Sequence, residues 1–355
     1  MKKTILLLLF PIISNILFAQ HKEEAEKLVD EGIAYHDKGD YQAAISKYNR
    51  ALELDKDNLM ALAEKAFSLM LLQKFDESIV CCQTAIEKHP TDKALKSVYV
   101  TYGNALDALT KTDKSIEIYD QGIKLFPDYY QLYFNKGITL SGVQKYDDAI
   151  LCFQKSATLN PVHASSHNAI ARLSIIKNKR IPSLLAYGRF LVLEPQTDRA
   201  KENLTSLQTI MKGNVAETGK KSITINISPD MLDDTTANGK PKANNFASTD
   251  LILALDAGLD LDKKNKNKTE AEQFIRKFEL VCSSLKETQK DNHGFYWDYY
   301  VPYFTEMKDK KLIEAFAYIA FASSDAPDVS EWLKSHKNEI DKFYDWSKSF
   351  AWKTN

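Results

Sequence analysis

The chain of 355 residues carries 47 Lys and Arg against 48 Asp and Glu, a formal net charge of −1. The signs are well mixed: after residue 214 there are 20 basic and 23 acidic residues, so neither half has the basic footprint of a nucleic-acid binder. Four cysteines are too few for a disulfide scaffold, and twelve glycines leave few places for phosphate-cradling loops.

The chain opens on MKKTILLLLFPIISNILFAQ, where two lysines precede an apolar run. This is the layout of a secretory signal peptide over residues 1–19, with Ala19 as the small residue before the cut. Pro11, Ser14 and Asn15 interrupt the run and make it a poor membrane span. A cleaved leader predicts an exported, periplasmic protein with no stable membrane insertion. About 335 residues then remain, enough for two domains or a solenoid with an appendage.

A repeat follows. Pro90, Pro127, Pro161 and Pro195 close similar segments, IEKHP, IKLFP, TLNP and LVLEP, at intervals of 37, 34 and 34 residues. Aligned from these ends, units begin near Ala25, Leu59, Lys96, Tyr130 and Ala164. Their eighth residues are small (Gly32, Ala66, Gly103, Gly137, Ala171), as are their twentieth (Ala44, Ser78, Ser115, Ala149, Ser183). The twenty-fourth place holds Tyr48, Cys82, Tyr119, Phe153 and Tyr187. This pattern predicts helical hairpins: small residues let two helices approach, a large one fills the gap to the next hairpin, and proline stops the second helix. The fifth unit departs, with Phe190 in a slot that Ala51, Ala85 and Gly122 keep small and Arg180 where Tyr41 and Tyr146 stand.

Segments such as GIAYHDKGDYQAAISKYNRALEL and GITLSGVQKYDDAILCFQKSATLNP resemble the tetratricopeptide repeat family, over roughly residues 22 to 197. The resemblance implies an all-α superhelix of about five hairpins. DRAKENLTSLQTIMKG, with Ala200, Leu204, Leu207 and Ile210 or Met211 on one face, is expected to cap the array and complete a solenoid over 22–213. Such arrays line a concave groove with their first helices and hold a peptide or helix of another protein. The groove positions here are Met60, Phe67, Met70, Asn104, Phe134, Asn135, Ile138 and Arg172. Met and Phe offer an adaptable apolar surface, and Asn can bond a bound backbone. Repeats that clamp a terminal carboxylate need cations where Val100, Ser165 and Ala169 stand, so that mode is rejected although Asn104 and Asn135 fit it.

Within the second unit, VCCQTAIEKHP sets two cysteines ahead of a histidine. Cys82 falls in the aromatic slot and His89 lies about two helical turns away, too far for a shared metal. Cys81 and Cys152 are two repeats apart, too far for a disulfide. Packing is the expected role.

The C-terminal half changes character. Residues 214–247 read as a linker with one short strand, where Ile223, Ile225 and Ile227 alternate with polar residues; the turn-rich DDTTANGKPKANN follows. A smaller, mostly helical domain is expected over 248–355, with helix starts at Ser248 or Thr249 and at Thr269. DLDKKNKNK lacks the glycine and the final glutamate of a calcium loop. GFYWDYYVPYF is the most aromatic stretch, and Pro302 should start or kink any helix there. Its rings form either a domain core or an exposed platform, Tyr296, Trp297 and Tyr300, for a glycan or other small ligand.

Nothing points to catalysis or a cofactor: GxSxG, HExxH, CxxC and nucleotide fingerprints are missing. His163 and His167, at i and i+4, have no nearby acid or cysteine to complete a metal set, and His293 between Asp291 and Asp298 has no geometry without a fold. The expectation is a non-catalytic adaptor of the cell envelope with a protein partner in its groove.

Overall fold

The computed structural model describes residues 3–212, 215–219, 222–225, 242–261, 264–265 and 267–353. Met1 and Lys2 of the expected leader, Ile227 of the alternating run, residues 233–241 of the turn-rich segment, and Asp262 lie outside them. The chain forms two compact units, 1–152 and 153–355.

The first unit contains α1 (Lys3–His36), α2 (Tyr41–Leu54), α3 (Leu59–Leu71), α4 (Phe75–Lys88), α5 (Leu95–Ala108), α6 (Thr112–Leu125) and α7 (Tyr130–Gly142). Neighbouring helices pack in sequence, α1 on α2, α3 on α4 and α5 on α6. One turn joins the two helices of each unit. The fifteenth residue is left-handed: Gly39 in the first unit, then Gln73, Thr110, Gln144 and Asn178 at φ between 54° and 61°. Its N–H bonds the carbonyl three residues back, and the next N–H reaches five residues back, as in Lys74 to Leu69 and Lys111 to Leu106. These paired bonds satisfy helix-end carbonyls and set the hairpin angle. Only the first unit supplies the glycine that such a conformation favours, so the turn was hidden in the sequence.

The small positions have two distinct tasks. At the twentieth place, the Ser78 and Ser115 hydroxyls donate to the carbonyls of Ala66 and Gly103, their units' eighth residues. The eighth place itself must admit the twenty-fourth side chain. A Cβ on Gly32 would stand 2.3 Å from the Tyr48 ring, and one on Gly103 would meet Tyr119 at the same distance. In the second unit both partners change together, Ala66 with Cys82. Cys82 is fully buried in a core with Leu62, Leu69, Tyr99 and Leu132. Burial pushes its thiol far above the usual range. His89 bonds the Asp57 carbonyl. The di-cysteine is therefore packing.

The second unit begins inside α8 (Tyr146–Leu159) and continues with α9 (Ala164–Ile176), α10 (Arg180–Leu193) and α11 (Asp198–Lys212). The Ser183 hydroxyl again donates to its eighth residue, Ala171. A two-stranded antiparallel ribbon follows, β1 (Val215–Gly219) with β2 (Ser222–Ile225), pairing Val215 with Ile225. Then come α12 (Ala247–Ala257), α13 (Glu270–Thr288), α14 (Phe295–Asp309), α15 (Ile313–Ala320), α16 (Pro327–Ser335) and α17 (Lys337–Ser349).

Here α10 is buried on every side, from Ile181 to Val192. It packs on α9 and α11 and also on α14 and α15. This explains the departures of the fifth unit. Phe190 is fully buried in this core, and Arg180 pairs with Asp250 at 2.7 Å while donating to the Ile210 carbonyl. The expected domain line at 213 and the unit line at 152/153 differ because the C-terminal helices build their core on α10. For the same reason α11 does not end the array: its Met211 carbonyl accepts from the buried Lys277 of α13.

One local expectation needs correction. α12 starts at Ala247, whose N–H is taken by the Asn245 side chain; Thr249 instead bonds Ser284. Of the two alternatives for Pro302, starting a helix is excluded, because Pro302 lies inside α14. α13 does start at Thr269 as expected, and there Thr269 and Glu272 cap it reciprocally.

Candidate partner-binding face and the buried aromatic network

In the first unit, three of the expected groove residues are open: Met60 and Ile138 are each 47 % exposed and Phe67 is 39 % exposed. Met70 is half-buried against Ile79, Ala105 and Leu106. Phe134 is also half-buried. Asn104 is partly committed, since its Oδ1 accepts from the Tyr119 hydroxyl at 2.6 Å, and Asn135 donates to the Gln131 carbonyl at 2.8 Å. Each asparagine keeps half of its amide for other partners. Arg172 is exposed and belongs to the second unit.

Sequence reasoning missed residues beside these. His36 lies 4.9 Å from the Phe67 ring and bonds the Ser68 hydroxyl at 2.7 Å. Leu71 is a further exposed apolar residue on α3. Glu64, also on α3, has its carboxyl raised above the ordinary value by burial first, with Asp37 adding to the effect and His36 opposing it. Counting first-helix places from Met60 and Phe67 would have found Leu71; nothing local marks His36 or Glu64.

The expected ligand platform is overturned. Tyr296, Trp297 and Tyr300 are 6 %, 2 % and 0 % exposed. Their polar tips are spoken for: Tyr296 with Ser174 at 3.1 Å, Trp297 Nε1 to the Asn245 carbonyl at 2.8 Å, Tyr300 with His167 at 2.6 Å. Trp297 also stacks on Phe246 at 4.4 Å. These rings are core: Tyr296 and Tyr300 pack between α14 and α9, and Trp297 packs on the segment before α12.

The same network consumes His167 of the i, i+4 pair. Its Nε2 lies 3.0 Å from the Pro161 carbonyl, which can only accept, so Nε2 carries the proton and Nδ1 accepts from Tyr300. The ring is neutral: burial, reinforced by the nearby Arg189 charge, lowers its pKa to about 3. Arg189 is buried without a paired carboxylate among the described residues. It donates to Ser347 at 3.1 Å and sits over the Trp352 ring at 4.8 Å. His163 bonds Ser166, and Asp298 pairs with Lys353, so neither histidine motif gathers a ligand set. Among the described residues no group of three or more His, Cys, Asp and Glu is placed to hold a metal.

Comparison with known proteins shows what part of the chain is similar to. Residues 34–167 match the family model described as the Psidin N-terminal TPR repeats region. Over that span the chain is similar to tetratricopeptide repeats, a class whose members generally mediate protein–protein interactions. A small glutamine-rich tetratricopeptide repeat-containing protein of Dictyostelium discoideum is 36 % identical over 107 residues, covering 30 % of this chain and 31 % of that protein. The human protein O-mannosyl-transferase TMTC1 is 27 % identical over 201 residues, 54 % of this chain and 22 % of its own length. This chain thus spans less than a third of either relative. Among solved structures, one reported as the functional characterization of Pseudomonas aeruginosa pilF is 17 % identical with a TM-score of 0.49, covering 72 % of this chain and 99 % of that one.

Proposed function

We propose that the protein is a non-catalytic scaffold whose first-unit face, centred on Met60, Phe67, Phe134 and Ile138, holds a peptide or helix of a partner protein. The observation that carries this reading is the exposure of Met60, Phe67 and Ile138 on first helices. Large apolar side chains kept in water at regular helical places are what a partner would cover. What is shared with the mannosyl-transferase relative is, in this reading, its repeats and not its transfer chemistry.

The apolar leader over residues 1–19 supports export, a periplasmic location and a partner in the cell envelope. The test is affinity capture from envelope fractions of the native host, with the wild type beside Phe67→Glu and Phe134→Glu. One stoichiometric protein is expected with the wild type and lost with either variant. An identical set captured by all three would remove the face from consideration.

A further inference from the structure

The charges around this face identify its occupant more narrowly. Some first-unit carboxylates are paired, Glu31 with Lys47 at 2.5 Å, Asp120 with Lys136 at 2.5 Å and Asp76 with Lys111 at 3.7 Å. The acids next to Met60 are instead gathered around one recess. Met60 and Val29 line a recess of about 630 Å³ together with Glu26, Asp30, Asp57 and Asp92. One lysine, Lys22, reaches it, and His89 there is occupied by the Asp57 carbonyl. Further along α3, Phe67 touches His36, which shares its field with Glu64 and Asp37. Among the described residues none of Glu26, Asp30, Asp37, Asp57 or Glu64 has an ion-pair partner.

We propose, on the basis of the scaffold reading above, that the occupant is a cationic amphipathic peptide segment, with large apolar residues seated at Met60 and Phe67 and Lys or Arg residues meeting the unpaired carboxylates beside them. Unpaired acids lining a recess beside apolar residues attract cations and repel acidic segments, so they select the partner and speed its approach. Glu64, half-buried and short of a counter-charge, gains most from a guanidinium or ammonium. An acidic chain end would find the wrong sign of field here.

The test uses the full chain and three fluorescent peptides of equal length: repeated Leu-Lys-Lys-Leu blocks, the same with Glu for Lys, and the same with Gln for Lys. The lysine peptide should bind at least about tenfold more tightly than the glutamine one, and weaken as salt rises. The glutamate peptide should not bind. Asp30→Asn combined with Glu64→Gln should remove the advantage of the lysine peptide and leave the glutamine peptide unchanged, whereas Phe67→Ser should weaken both. Equal affinity for the lysine and glutamine peptides, or an advantage that survives the double neutralisation, overturns the charge assignment alone, provided Phe67→Ser still weakens binding. Binding indifferent to Phe67→Ser, or no binding by any peptide, sinks the scaffold reading with it.

Discussion

The first-unit hairpins and the last hairpin share one register, yet their surfaces have opposite fates. In the first unit, α3 keeps Met60, Phe67 and Leu71 in water while hiding Ala66 and Leu69. In the second, α10 shows nothing of itself between Ile181 and Val192. The repeat therefore sets which helices pair, and whatever lies beyond the hairpin decides whether the remaining face stays open. A helix that acquires a C-terminal domain against it becomes a core; one that does not keeps an apolar face.

This contrast can be broken most severely from the buried side. Phe304 is fully buried against Phe278 and Phe316, so Phe304→Ala should cost about 3–5 kcal/mol by urea denaturation of the second unit. A cost below about 1 kcal/mol would mean the C-terminal helices do not share a tight core.

His167 gives the second unit an acid sensitivity. Its folded pKa, about 3, lies below the ordinary value of 6.5, so the unfolded chain binds the extra proton between those limits. Stability from this residue is complete above pH 6.5 and is lost as pH falls toward 3, at about 1.4 kcal/mol per pH unit. His167→Gln should flatten the dependence of urea midpoint on pH in that window. Parallel profiles for the two proteins would refute the neutral buried histidine.

Within the first unit, Gly103→Ala drives a methyl into Tyr119 and should cost about 1–3 kcal/mol despite the better helix propensity of alanine. Adding Tyr119→Cys recreates the natural Ala66 and Cys82 pairing and should recover part of the loss. If the double variant is merely the sum of the two singles, the eighth and twenty-fourth places of this hairpin are not coupled. Cys82→Ala should cost about 1–2 kcal/mol, without effect on partner binding. Smallest of all, Phe67→Ser should change stability by no more than about 0.5 kcal/mol, because the ring is already partly in water. A larger loss would make Phe67 a core residue and weaken its assignment to binding.

The legibility of the chain follows the same division. The eighth, twentieth and twenty-fourth residues announce the hairpin because their partners sit a fixed distance along the sequence: Ser78 and Ala66 are twelve apart, and so are Ser115 and Gly103. Contacts of fixed separation leave a periodic trace in composition. The left-handed turn left none, since glutamine, threonine and asparagine occupy a place where only Gly39 would have advertised it. Of the binding face, Met60, Phe67 and Ile138 were readable as apolar residues at first-helix places. The unpaired state of Glu64 and Asp30 was not, because pairing depends on which lysines the fold brings near.

Sequence alone thus determined the repeat, its register and the packing role of Cys82, because each rests on interactions within one hairpin or with its neighbour. Tertiary structure decided the rest. The aromatic stretch could have been a platform or a core, and contacts such as Tyr300 with His167, 133 residues apart, made it a core. Arg180 looked like a lapse in the repeat until Asp250 arrived beside it. A pairing across such separations is fixed by how whole helices pack, and no local spacing encodes it.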